Sequence, residues 1–231
     1  MSVEHEKKLA AEAAAELVED GMTVGLGTGS TVAYLLPALA VRGLALHCVA
    51  TSPATEHIAR ELGIEVESFR GTGAPTQIDV AIDGADQVAP SGWLVKGGGA
   101  AHTREKAVAA AADRFIVIVS ADKLVESLRP PVPLELLEFG LAATLRRLGT
   151  VQLRDVPPSP EGGVIADFTG SFEDPEELAA RLSATVGVVE HGLFPAEMVA
   201  DVIVARGDEV ERIAVTPGPG VRQPRLPLTR A

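Results

Sequence analysis

Met22-Thr23-Val24-Gly25-Leu26-Gly27-Thr28-Gly29-Ser30-Thr31 is a short apolar run that passes through three spaced glycines into a cluster of hydroxyls. Residues 22–26 read as a strand and the glycines as a tight turn. A helix is expected from about Thr31, with Pro37 as a candidate kink. Strand, turn and helix in that order open a β-α unit. The pattern recurs. Further strands are expected at 44–50, 64–68, 78–82 and 115–120, and helices at 53–62 and 103–112. An amphipathic helix over 4–19, ended by Gly21, precedes them. Phe115-Ile116-Val117-Ile118-Val119-Ser120 has the continuous apolar character of a buried strand. The alternation implies a parallel sheet with helices on both faces, and so an α/β, Rossmann-like domain.

Arg129-Pro130-Pro131-Val132-Pro133 breaks the pattern. After it come a strand at 134–139, helix 140–148, strands 151–154 and 163–168, helix 175–184 and strand 186–190. That β-α-β-β-α-β order predicts a smaller ferredoxin-like α+β domain over 129–198. Residues 199–205 read as a strand returning to the first sheet, so the larger domain is expected to take 1–128 and 199–231. The tail from Thr216 holds four prolines and reads as a hairpin end followed by a loose terminus.

The chain has 231 residues, 46% hydrophobic, with a net charge of −12. It lacks the basic face and, at 3% aromatic content, the stacking rings of a nucleic-acid binder. The lone cysteine, Cys48, cannot form an intrachain disulfide and reads as a small core residue. No apolar leader and no stretch of 18 or more apolar residues is present, so no signal peptide and no membrane span are expected. A cytoplasmic location follows from these readings.

Ligands of open α/β sheets bind beyond the carboxyl ends of the strands, and the chemistry-bearing clusters follow expected strands. Thr28, Gly29, Ser30 and Thr31 stand at a helix start, where free N–H groups and hydroxyls suit an anion; a plain turn with Ser30 or Thr31 as N-cap is the alternative. A dinucleotide fingerprint fails, because Ser30 stands at the third glycine and Ala50 and Thr51 offer no acid to a ribose. A P-loop fails for want of Gly-Lys-Ser/Thr. What remains is phosphate without a nucleotide: a sugar phosphate. Asp83-Gly84-Ala85-Asp86 places two carboxylates at a strand end, suited to hydroxyls or protons, or else to an Asp-Gly turn. Lys96-Gly97-Gly98-Gly99 joins an ammonium to bare amides, and Glu105 follows in the first helical turn. There Glu105 is either a base or a carboxylate favoured by the helix dipole, and Lys96 and Lys123 are either ligands or solvated. His102 reads as packing or capping, and His5, His47, His57 and His191 as structural or exposed. No HExxH, CxxC or EF-hand spacing occurs, so no metal or other cofactor is expected.

Together with Thr51-Ser52-Pro53-Ala54-Thr55, Asp122-Lys123 and the later Val186–Phe194 segment, these motifs resemble, in order and spacing, the A type of ribose-5-phosphate isomerase. The resemblance runs from about residue 4 to 205. It implies interconversion of ribose 5-phosphate and ribulose 5-phosphate through an enediolate, with Glu105 as the base. Lys96 and the Gly97–Gly99 amides are assigned to the enediolate oxygens. Asp83 and Asp86 are assigned to hydroxyls, one of them aiding ring opening. Thr28 to Thr31 are assigned to the phosphate, with help from Lys7, and Lys123 to the other side. The resemblance also implies a homodimer or homotetramer.

Three departures stand out. The family usually has Glu where this chain has Gln87, which is expected to remove a charge from the site rim. Pro157–Gly163 replaces a loop that often carries Asp and Asn, and Pro133-Leu134-Glu135-Leu136 a PVEV-like strand. Two rivals stay open at this point: a non-catalytic sugar-phosphate sensor, and an isomerase of another sugar phosphate.

Overall fold

The computed structural model describes residues 2–215, so the proline-rich tail from Thr216 lies outside the described residues. The first helix, α1 (Val3–Ala15), is capped by the Ser2 hydroxyl, which accepts from His5 N–H. It stops well before Gly21, shorter than the expected 4–19. Then follow β1 (Thr23–Leu26), α2 (Val32–Ala40), β2 (His47–Ala50), α3 (Pro53–Glu61), β3 (Val66–Glu67) and β4 (Ile78–Asp83). In α3 the Ser52 hydroxyl accepts from Thr55 N–H and Pro53 sits in the first turn, where its missing N–H has no partner to lose. Next come β5 (Gln87–Val88), β6 (Leu94–Val95), α4 (His102–Ala111) and β7 (Ala112–Ser120).

Strands β14 (Glu209–Ala214), β13 (Asp201–Arg206), β7, β4, β1, β2 and β3 form one seven-stranded sheet in that order. All neighbouring pairs are parallel except β13–β14. The returning strand expected near 199–205 is β13, which pairs with β7 from Asp201 to Ala205. The antiparallel edge strand β14 was not anticipated; all six of its residues are exposed, so it shows no buried face in the sequence.

One face of the sheet is packed by α1, α2 and α3 through Ala10, Ala14, Leu35, Leu36, Leu39 and Ala59. The other face departs from the expected pair of helix layers. It is covered by α4, through Val108 and Ala109, and by a small sheet of order β12-β6-β5, in which β12 is Leu193–Phe194.

The intervening chain gives β8 (Val132–Leu136), α5 (Leu141–Leu148), β9 (Val151–Leu153), β10 (Val164–Phe168), α6 (Pro175–Ser183) and β11 (Val188–His191). These strands form an antiparallel sheet of order β11-β8-β10-β9, the ferredoxin-like arrangement expected from the β-α-β-β-α-β pattern. Its own core is built from Leu134, Leu136, Phe168, Leu178 and Leu182. No helix among the described residues is long and apolar enough to cross a membrane.

Candidate active site

β4 runs one residue further than expected and ends on Asp83, whose carboxylate lies under the β1–α2 turn. Asp83 Oδ1 accepts from the N–H of Thr28 at 3.0 Å and of Gly84 at 2.7 Å. The approach is so close that a Cβ on Gly27 would stand 2.1 Å from Asp83 Cγ. The Thr51–Thr55 segment braces the same turn from behind. Thr51 Oγ1 lies 2.7 Å from Thr28 Oγ1 and donates to the Leu26 carbonyl, and Thr55 Oγ1 donates to Gly27 O at 2.8 Å.

Lys96 leaves the end of β6, where its N–H donates to Gly192 O at 2.8 Å. Its ammonium reaches 3.0 Å from Asp83 Oδ2 and 3.1 Å from Glu105 Oε2. Glu105 sits in the first turn of α4. All three side chains are buried, with Asp83, Lys96 and Glu105 at 3%, 2% and 4% exposure. The solvated alternative for Lys96 is therefore overturned. Glu105 Oε2 is in ion-pair contact with Lys96 but is not aligned for a hydrogen bond with any group among the described residues.

Burial pushes the Glu105 carboxyl up, and the charge of Asp83 adds to that; Lys96 offsets only part of it, leaving a value of about 8. Burial also raises Asp83, opposed by Lys96 and the two amides. Burial works against the Lys96 charge, yet Asp83 and Glu105 overcome it and hold the ammonium above the ordinary lysine range. The site thus holds a lasting cation between two carboxylates, of which Glu105 exchanges its proton near neutral pH.

Above this trio opens a cleft of about 530 Å³, lined by Lys7, Thr28, Gly29, Ser30, Thr31, Gly84, Ala85, Asp86, Lys96, Gly97, Gly98, Gly99, Glu105 and Lys123. Every residue proposed from sequence lines it except Asp83, which lies directly beneath. Asp86 accepts from Gly98 N–H at 2.7 Å, tying the two acidic and glycine-rich segments together. Lys123 is half-buried with its ammonium 3.7 Å from Asp122, and Lys7 is held 2.6 Å from Glu4. No group of three or more potential metal ligands occurs among the described residues. A larger hollow of about 840 Å³ beside α4 is bordered by Arg60, Arg70, Arg104, Glu56 and Glu161. Its arginines are already paired to those two glutamates and its remaining carboxylate, Glu67, to His47, so among the described residues it offers no free acid, base or cation.

One reading is corrected. Gln87 is not on the rim: its amide donates to Arg129 O at 2.8 Å and accepts from Arg129 N–H at 2.9 Å, a reciprocal pair facing away from the cleft. Only an amide both donates and accepts there, so Gln87 fits its own position without touching the site's charge. Of the two readings left open for His191, structural or exposed, the structure gives the structural one, since the ring is buried. Its Nδ1 accepts from Leu193 N–H at 3.2 Å and its Nε2 lies 3.0 Å from Ser183 Oγ, beside Lys106 and Glu190. His102 is wholly buried and neither ring nitrogen has an aligned partner among the described residues; burial, then Lys106, lowers it to about 4. Sequence reasoning missed Arg154, which donates to the carbonyls of Gly97 and Gly98. An arginine at the end of a strand some fifty residues on carries no local signal of that contact.

Fold and cleft together define an α/β enzyme that handles a small anionic substrate over a buried acid–ammonium–acid trio. The chain belongs to the ribose 5-phosphate isomerase A (phosphoriboisomerase A) family, whose profile matches residues 47–209. It is 42% identical over 229 residues to ribose-5-phosphate isomerase A of Caulobacter vibrioides, covering 92% of this chain and 99% of that one. Ribose 5-phosphate isomerase A from Neisseria gonorrhoeae superposes with a TM-score of 0.87 at 30% identity, covering 94% of this chain and 99% of that one. A D-ribose-5-phosphate isomerase in complex with phospho-erythronic acid gives 0.85 at 36% identity, over 93% of this chain and 100% of the other.

Proposed function

We propose that the protein interconverts D-ribose 5-phosphate and D-ribulose 5-phosphate through an enediolate, as an aldose–ketose isomerase of the pentose phosphate pathway. The observation that carries this reading is the buried Asp83–Lys96–Glu105 trio beneath an amide-rich cleft. Glu105 takes the C2 proton of the open-chain aldose and returns it to C1. A carboxyl group near 8 suits that exchange at neutral pH, since a base works best when its pKa lies near the working pH. Lys96 and the Gly97–Gly99 amides stabilise the enediolate oxygens where negative charge develops. Asp83 holds the ammonium in place; Asp86 and the Gly84–Ala85 segment meet the sugar hydroxyls, and an aspartate assists ring opening. The Thr28–Thr31 turn receives the phosphate, with Lys7 and Lys123 at either side. That an isomerase of this family binds phospho-erythronic acid supports the reading, because its planar carboxylate resembles an enediolate.

The reaction as proposed is metal-independent proton transfer. The enzyme is proposed to work in the cytoplasm as a homo-oligomer, with no nucleic acid or membrane as partner. Residues 1–128 with 199–231 are taken as the catalytic domain and 129–198 as the smaller one, a division supported by their separate main sheets, although Ala89, Val95 and Leu128 join the smaller domain's core. With Gln87 turned to Arg129, the basis for a different sugar phosphate is gone. The test is conversion of ribose 5-phosphate in EDTA by wild type and Glu105→Gln. Activity that survives chelation and collapses in the variant supports the proposal. A wild type that binds the sugar phosphate without converting it refutes it in favour of a sensor.

A further inference from the structure

The glycine run is held from outside the larger sheet. Arg154 follows β9, and its backbone N–H donates to Ile165 O at 3.0 Å, which fixes it in the ferredoxin-like sheet. Its Nε and Nη2 fork onto Asp167, at 2.8 Å from Oδ2 and 2.6 Å from Oδ1. Asp167 lies in β10, so the guanidinium plane is set by a strand. The remaining nitrogen, Nη1, donates to Gly97 O at 3.0 Å and Gly98 O at 3.1 Å. Bonding to Asp167, together with its charge, raises the Arg154 pKa further, so the cation persists at any working pH.

The consequence for the cleft comes from peptide geometry. In a trans peptide the C=O and the next N–H point in opposite directions. Holding the Gly97 carbonyl on Arg154 turns the Gly98 N–H the other way, where it donates to Asp86 at 2.7 Å. Holding the Gly98 carbonyl likewise turns the Gly99 N–H away from Arg154, and Gly99 lines the cleft. Three successive glycines have wide conformational freedom, and nothing in their own side chains selects one orientation. Ala100 N–H donates to Gly97 O at 3.0 Å and closes the turn, and Arg154 adds the side chain that holds both the Gly97 and Gly98 carbonyls. A lysine would offer a point charge without the fork.

We propose that Arg154, oriented by Asp167, is a positioning residue that presets the Gly98 and Gly99 amides, the first to hold Asp86 and the second to face the enediolate. The proposal rests on the isomerase reading and places a determinant of catalysis on the smaller sheet. It does not touch substrate and acts through the peptide planes it holds.

The test uses the full chain with Arg154→Met, which keeps the stem, Arg154→Ala, and Asp167→Asn, which leaves the arginine but breaks its fork. kcat is expected to fall about 10- to 100-fold in Arg154→Met, the order expected of a misplaced site. KM for ribose 5-phosphate should stay within about threefold, since binding through the phosphate turn is untouched. Affinity for phospho-erythronic acid should fall in parallel with kcat/KM, and Asp167→Asn should shift both in the same direction. Free guanidinium should restore part of the activity of Arg154→Ala, a rescue that a merely structural loss would not show. The proposal is overturned if Arg154→Met keeps wild-type kcat and inhibitor affinity, or if activity is lost without guanidinium rescue and with inhibitor affinity intact. A wild type inactive on ribose 5-phosphate refutes the isomerase reading itself, whereas an active wild type with indifferent variants refutes only the role of Arg154.

Discussion

Replacing Lys96 by methionine removes the cation and keeps a chain of similar length. The ammonium is 2% exposed, 3.0 Å from Asp83 and 3.1 Å from Glu105. Leaving two ionised carboxylates there without a partner would cost about 3–5 kcal/mol. The protein avoids part of that by binding protons. In the wild type, Glu105 titrates at about 8 when folded and near its ordinary 4.5 when unfolded. The folded state therefore holds an extra proton between those values, so stability is present at low pH and is lost as pH rises through the window. In Lys96→Met the cation that opposes the burial-driven rise of Asp83 is gone, so that carboxyl moves further up and adds to the loss. Each extra proton steepens the loss by about 1.4 kcal/mol per pH unit. Over two units, from about pH 5 to pH 7, the variant should thus lose more than the wild type, up to the limit of about 3 kcal/mol set by one full extra proton. Urea unfolding at the two pH values, compared by midpoint and slope, measures this difference. Equal destabilisation at both pH values would refute the shared-cation account of the trio.

Other expectations follow from the same geometry. Gly27→Ala places a Cβ 2.1 Å from Asp83 Cγ, so steady-state kinetics should show a loss of about 100-fold, the scale of a 1 Å misplacement. The kcat/KM profile should rise with pH through a value near 8 that belongs to the coupled trio, and that limb should vanish in Glu105→Gln. His102 is held to about 4 when folded against 6.5 for the free side chain, so stability should fall as pH drops through that interval. Acid unfolding of His102→Leu should show about 3 kcal/mol less of this loss. KM for the sugar phosphate should rise with salt, since local cations on a chain of net charge −12 are screened.

Much of the site was legible because its chemistry is written in local motifs. Asp83 and Lys96 each precede a glycine, and Glu105 follows the glycine run that Lys96 opens, in the first turn of a helix. Their meeting in one buried trio was not legible. Lys96 is delivered by β6, a two-residue strand without periodicity, paired with β12 from a distant part of the chain. The parallel sheet could be read because apolar runs such as Phe115–Ser120 are buried along most of their length, whereas β8 starts two residues before the expected 134–139 because Pro133 reads as a breaker. β14 could not, because it pairs through its backbone while all its side chains face solvent. Gln87 misled because its type was compared without its partner, Arg129. Arg154 went unseen because its task is to hold carbonyls, which any sequence supplies.

The most direct measurement follows ribose 5-phosphate in D₂O with EDTA by proton NMR, for wild type and Glu105→Gln. Proton transfer through an enediolate predicts solvent deuterium at the exchanging carbon. It also predicts that conversion and exchange fall together in the variant, by about 10²–10⁴, the range for losing a general base. Turnover by Glu105→Gln within tenfold of the wild type would contradict the account.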